Sequence, residues 1–259
     1  YSAKGEVSNI TKRRTRFERI KIAFSKAPLS AWFGMIVLSI YLFAAFFAPF
    51  IAPHGEAEVF PVAYAPWGGE HLLGTDQIGR DILSRLIFAS RNTLGICFLA
   101  CSIALIIGTI FGIIAAIDRS YIDQILSRSI DTLMAIPVMI FTFILLSVFG
   151  PSNLNLILIL GVLESTRFFR ISRSVAVGQV VLEYVEVAKL RGEKLSYIIF
   201  REILPNIASP LIVEFGVRFI FIIFTVSSLS FLGLGIQPPA ADWAAMVREN
   251  AILIQYAQY

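Results

Sequence analysis

EYVEVAKLRGEKLSYIIFREILPN, Glu183–Asn206, is a polar interruption in a chain that otherwise reads as soluble in lipid. Glu183, Glu186, Lys189, Arg191, Glu193, Lys194, Arg201 and Glu202 all fall within it. Over 259 residues, 57% are hydrophobic and 15% charged, against roughly 45–50% and 25% in a soluble domain. The stretch divides at Gly192. Before it, Tyr184, Val187 and Ala188 recur at helical spacing. Beyond it, Leu195, Ile198 and Ile199 repeat the pattern, continued by Phe200 and Ile203. Gly192 suits the left-handed residue that ends a helix, and Pro205 resets the chain before the next apolar run. The spacing predicts two short amphipathic helices meeting at a tight corner. Such an element lies on headgroups, caps its own bundle, or docks into a groove of a partner protein.

On either side stand apolar segments near the ~20 residues needed to cross the hydrocarbon core. They are Leu29–Ile51, Thr93–Ile117, Thr132–Phe149, a run from Leu154 towards Phe169, and Ile207–Leu232. Glu164 and Arg167 interrupt the fourth, Glu214 and Arg218 the fifth. A sixth helix is expected from near Ala251, truncated or missing because the chain stops at Tyr259. The fold class expected is an all-α membrane protein, a polytopic helical bundle.

Lys/Arg asymmetry orients it. Tyr1–Ala27 has eight Lys/Arg against two Glu and no short apolar core with a cleavage site, so it reads as a cytoplasmic tail and not as a signal peptide. Alternating the segments from there puts 17 Lys/Arg inside and 4 outside, with Arg218 left in the fifth segment. Glu183–Asn206 falls inside. The link near Asp118–Asp131 is also inside, and the loop Ala52–Asn92 is outside.

Gly108 and Gly112, four apart in the second segment, allow close backbone approach, within one subunit or between two. Pro137 should kink or loosen the third segment. Glu214 and Arg218, acid first and four apart, form either a self-neutralising pair or a gate. Glu164 and Arg167 pair with each other or reach headgroups. Cys97 and Cys101 share a helix face as small buried residues. His54 and His71 are far apart with no neighbouring ligand set, so no metal site is expected. The polar face of Asp76, Arg80 and Asp81 is expected to meet the extracellular side of a complex, and Pro238 and Pro239 to end the fifth helix. The chain contains no G-x-x-x-x-G-K-[ST] phosphate loop and no G-x-S-x-G. It is therefore not read as an enzyme, and with its basic residues beside membrane segments it is not read as a nucleic-acid binder.

YVEVAKLRG followed by IIFREILPN resembles the cytoplasmic signature loop of ATP-binding-cassette (ABC) importer permeases: E-A-A, then G, then a hydrophobic residue and L-P. Glu186, Ala188, Gly192, Leu204 and Pro205 stand at the matching positions. Val187 replaces the middle Ala, and Glu202 stands where Ile is frequent. HLLGTDQIGRDILSRLIFASRNTL (His71–Leu94), SFLGLGIQPPAADWAAM (Ser230–Met246), Arg170 and Arg173 are similar to the second permease of the dipeptide/oligopeptide/nickel branch. The similarity runs from about Leu29 to Glu249.

The resemblance implies a type I importer permease of the bacterial plasma (inner) membrane with its N-terminus cytoplasmic. It would form half of a translocation path for peptides or a related small solute and work by alternating access. Implied partners are a second permease, two ATPase subunits, an extracytoplasmic solute-binding protein and the bilayer. ATP and Mg would be bound by the ATPases and no cofactor by this chain. Tyr184, Glu186, Ala188, Gly192, Leu195, Ile198, Ile199 and Pro205 would couple to the ATPase; Pro137, Glu214 and Arg218 are the gate or pore candidates. The expected organisation is a basic tail over 1–28, the first helix and outer loop over 29–90, and a permease core over 91–259 with its coupling loop at 183–206. The rival reading is a self-sufficient secondary transporter or channel, which would carry a charged relay or a selectivity filter at mid-membrane.

Overall fold

The computed structural model describes residues 25, 27–118 and 120–255, so nearly all of the basic tail 1–28 lies outside the described residues. The helices among these residues are α1 Leu29–Ile51, α2 Ile82–Ile117, α3 Tyr121–Met134, α4 Val138–Phe149, α5 Asn153–Val180, α6 Glu183–Leu190, α7 Leu195–Phe231 and α8 Trp243–Gln255. Among the described residues there are only isolated β-bridges and no strands. The chain is thus the all-α bundle expected. Its contacts divide after Phe43: one unit ends there, within α1, and the second runs from Ala44.

α1 matches the expected segment at both ends. α2 is 36 residues long and begins eleven residues before the expected Thr93. The apolar count stops at Arg91, but the helix does not. Asp81 caps it, accepting the Ser84 N–H at 2.8 Å.

The expected span Thr132–Phe149 is not one helix. α3 and α4 meet at Pro137 with an 86° bend, because the residue before a proline is driven out of the α region. α4 alone has 12 residues, about 18 Å at 1.5 Å each, too short for a 30 Å core. The link placed at Asp118–Asp131 is largely α3. Among the described residues three helices are long and apolar enough to cross a membrane (α1, α2 and α7), or four if the bent pair is one span. α5 has 28 residues, but Glu164, Arg167, Arg170 and Arg173 make it less apolar than these.

α7 overturns the expected second short helix. Leu195 onward joins the fifth span without a break, through a wide π-helical turn at Ile198–Ile203. Leu204 donates its N–H five residues back, to the Ile199 carbonyl. That widening lets Pro205, which has no N–H and crowds the preceding turn, stay inside the helix and not reset it. At the far end Gly233, with φ of +90°, and not Pro238–Pro239, terminates α7. The Leu234 N–H reaches Leu229 O at 2.8 Å and the Gly233 N–H reaches Ser230 O at 3.0 Å, a Schellman close. α8 starts at Trp243, eight residues before the expected Ala251, because buried Asp242 caps it through the Ala245 N–H at 2.9 Å.

The core is the seam of α2 against α5, with α7 alongside. Cys97 and Cys101 are buried there and free, as expected. In lipid, where tails are as apolar as side chains, such a seam is held by close packing. Gly108 and Gly112 supply it within this one chain. A Cβ on Gly108 would overlap the Ser165 carbonyl and stand 2.8 Å from the Phe169 nitrogen; one on Gly112 would overlap Ser172 Oγ and stand 2.7 Å from Phe169 O. Ser172 Oγ also donates to Gly108 O at 3.1 Å, so the contact is partly polar.

Candidate functional site

At the C-terminal end of α2, a second cluster packs Ile113 and Ala116 against Val185, Ala188, Ile198 and Ile199. It seats the Glu183–Asn206 corner. α6 ends in a complete Schellman motif: Gly192 takes φ of +73°, its N–H donates to Lys189 O at 3.0 Å, and the Glu193 N–H donates to Ala188 O at 3.2 Å. The left-handed glycine corner is therefore present. Tyr184 ties its two arms together. Its hydroxyl donates to Gln179 Oε1 at 2.9 Å and accepts from Asn206 Nδ2 at 3.2 Å, linking the end of α5 to α7. Burial pushes the Tyr184 phenol up from its ordinary value, which keeps the donor protonated.

The buried face is not quite the one expected. Val185 and Ala188 face inward, while Val187 is 51% exposed. Ile198 and Ile199 are buried, but Leu195 is 49% and Phe200 53% exposed, and Leu190 stands out at 81%. Glu186 and Pro205 are exposed. The corner is thus rigidly seated on one side and presents apolar tips among charges on the other.

Beside it, α3 is clamped to α5. Arg173 Nε and Nη2 each donate to Asp123 at 2.6 Å, and Arg170 bonds Asp131 at 2.9 Å. The two arginines singled out in the sequence therefore hold the amphipathic half of the bent pair.

Within the bundle, Arg218 Nε donates to Glu214 Oε1 at 2.6 Å, the pair expected from their spacing. Glu164 does not pair with Arg167, which is exposed. It is buried, and its Oε2 has no hydrogen-bond partner among the described residues; Arg218 Nη1 stands 4.0 Å away. One guanidinium thus faces two carboxylates on two helices. Pro137 lies at the α3–α4 bend.

At the other end of α2, the loop residues Asp76, Arg80 and Asp81 are buried and turned inward, and do not present a polar face outward. Asp76 Oδ2 accepts from Arg80 Nε at 2.7 Å and Arg85 Nη1 at 2.6 Å, and both arginines reach Glu249 of α8, at 3.2 and 3.0 Å. Burial raises the Asp76 carboxyl, but the N–H groups of Arg80 and Ile78 and the Arg80 guanidinium outweigh it and hold it below the usual carboxylate range. The loop also brings His54 and His71 together with Asp81. Separation in sequence misled the reading that neither histidine has a ligand neighbour.

Two family descriptions match this chain. Residues 108–257 match the binding-protein-dependent transport system inner membrane component, and residues 24–66 the N-terminal TM domain of oligopeptide transport permease C. A dipeptide transport system permease protein of Alkalihalophilus pseudofirmus is 34% identical over 87% of this chain and 75% of its own length. The dipeptide transport system permease protein of Escherichia coli strain K12 is 35% identical over 91% and 80%. A glutathione transport system permease protein of Pectobacterium atrosepticum is 31% identical over 91% and 79%. The chain belongs to the binding-protein-dependent transport system inner membrane component family; it is a multi-pass membrane permease subunit of an ABC importer.

Proposed function

We propose that this subunit forms half of a translocation path for peptides or a related small solute, driven by ATPase subunits that dock on the Glu183–Asn206 corner. The observation that carries the coupling role is the pairing of a seated corner with exposed apolar tips. Val187, Leu190, Leu195 and Phe200 project from elements fixed by Val185, Ala188, Ile198 and Ile199. Glu186, Arg191, Lys194 and Arg201, interspersed with them along the chain, are exposed as well. Exposed apolar groups rimmed by charge mark a protein interface, and a corner that does not yield passes movement on to the helix it continues into. That helix is α7, joined to the corner without a loop. Closure of the ATPases would then tilt α7 against α5 and open the path alternately to either side.

The 17-to-4 bias of Lys/Arg supports a cytoplasmic N-terminus and corner. The relatives' names support a peptide-like solute. The lack of a phosphate loop in the sequence fits ATP and Mg held by partners, alongside a second permease and an extracytoplasmic solute-binding protein. Tyr184, Glu186, Ala188, Gly192, Leu195, Ile198, Ile199 and Pro205 make up the coupling element, some by contact and the buried ones by positioning it. Pro137, Glu214 and Arg218 are assigned to the gate, on the 86° bend and on the cost of charge within a span. The regions 1–28, 29–90 and 91–259 would act as basic tail, first membrane helix with outer loop, and permease core, with α2 running across the last boundary from Ile82 to Ile117.

The test is affinity purification from gently solubilised membranes. Leu190→Glu and Leu195→Glu, both exposed, should leave the second permease in the eluate and deplete the ATPases at least about tenfold, since an apolar anchor in a docking site is worth 1.4 kcal/mol or more. Undiminished ATPase recovery would overturn the docking assignment.

A further inference from the structure

Three residues the transport reading does not use come together at the N-terminal end of α2. His54 lies just beyond α1, His71 in the long loop, and Asp81 is the cap of α2. One ligand atom from each lies within 4.8 Å of the other two. Asp81 and His71 are buried, and His54 is half-buried, so the group has one open side. The Phe60 ring meets His54 and His71 edge-on at 4.8 and 4.6 Å and walls the cluster. The two imidazole centroids are 5.1 Å apart.

Each member is held by a bond that defines its donors. His54 Nε2 faces the Glu70 carbonyl at 3.2 Å, and the His54 backbone N–H is fixed by Ser84 Oγ at 3.0 Å. His71 Nδ1 faces Asp81 Oδ1 at 3.0 Å. A carbonyl and a carboxylate only accept, so without an ion those two nitrogens donate the protons of these bonds, and an ion entering between His71 Nδ1 and Asp81 Oδ1 takes the place of the proton they share. Asp81 Oδ2 is occupied by the Ser84 N–H at 2.8 Å, which fixes the carboxylate in place.

We propose that His54, His71 and Asp81 bind a divalent transition ion of the zinc or nickel class. Two imidazoles with one carboxylate suit borderline ions, whereas Mg and Ca prefer sites made wholly of oxygen. Ligands 2.0–2.1 Å from a tetrahedral ion stand roughly 3.4 Å apart. Closing from at most 4.8 Å therefore takes a swing of about an ångström by the half-buried His54 ring. The ion completes its shell with water through the open side. It would tie the residue after α1, the long loop and the start of α2 into one unit, beside the Asp76–Arg80–Arg85–Glu249 group that ties the same loop to α8.

The experiment uses the purified transporter complex, stripped with chelator and dialysed against zinc, with metal content measured by elemental analysis; cobalt serves as an optical probe. The expected results are one zinc per copy of this chain, visible cobalt bands of a nitrogen–oxygen site, and at least about 10-fold weaker binding in His54→Gln and His71→Ala. A second reading needs no variant: zinc should raise the melting temperature of the wild-type complex saturably, and magnesium should not. Zinc bound equally by wild type and both variants, or no zinc-specific shift of the wild-type melt, would overturn the assignment.

Discussion

Replacing Gly192 tests whether the corner works through its backbone geometry. Its φ is +73°, and a Cβ built there would meet no heavy atom within 4 Å. Substitution therefore costs only the left-handed conformation, about 1–2 kcal/mol for an ordinary L-residue and more for a β-branched one. If the chain instead leaves that conformation, it gives up the bonds from Gly192 N to Lys189 O and from Glu193 N to Ala188 O, about 1 kcal/mol each. Either route lowers the population of the native corner by roughly 5–30-fold. The helices themselves persist, because Val185, Ala188, Ile198 and Ile199 remain buried. The expected order of transport at matched membrane levels is Gly, then Asn, then Ala, then Val, since Asn visits the left-handed region most readily. ATP hydrolysis should become less dependent on solute in the same order. The assay is solute uptake and ATPase stimulation in proteoliposomes. Full uptake by Gly192→Val at normal membrane levels would refute the reasoning, as would Asn and Val impaired alike.

Two further perturbations probe the frame around the site. Gly112→Val places carbon on Ser172 Oγ and against the Phe169 carbonyl, so overpacking should cost about 1–3 kcal/mol and lower the melting temperature of the complex; an unchanged melt would mean that the α2–α5 seam is looser than described. Asp76→Asn leaves the buried Arg80 and Arg85 facing Glu249 alone. It should destabilise by about 3–5 kcal/mol, and Glu249→Gln by less, in the same melt. The Asp76 carboxyl is held below its ordinary value. Its contribution is thus complete above about pH 4 and is lost only as the pH falls through the lower folded value. Between pH 5 and 8 this group should leave the melt flat.

Much of the architecture was legible because lipid imposes a simple rule on composition. α1 is a continuous apolar run and matched at both ends. Gly192 announced its corner because no other residue sits easily at positive φ, and Gly108 with Gly112 announced a close helix contact. The π-turn before Pro205 was harder. A proline inside a helical pattern normally signals an end, and only the neighbouring turn shows whether the helix widens to keep it. The same holds for α8, where Arg248 and Glu249 precede the Ala251 at which a helix is expected, yet Glu249 lies within the helix and is matched by Arg80 and Arg85.

Residue type and spacing alone determined that this chain crosses a membrane as helices, where its corner lies, and which stretch carries the family signature. These are local properties, set by the chemistry of each segment. Tertiary structure alone decided which side of α6 is buried, since rotating a short helix exchanges Val185 for Val187 and depends on the surface it meets. It also decided that Glu164 faces Arg218 and that His54 and His71 converge on Asp81. Those pairings join residues from separate helices and loops. Their distances depend on how the bundle packs, which no single stretch of sequence specifies.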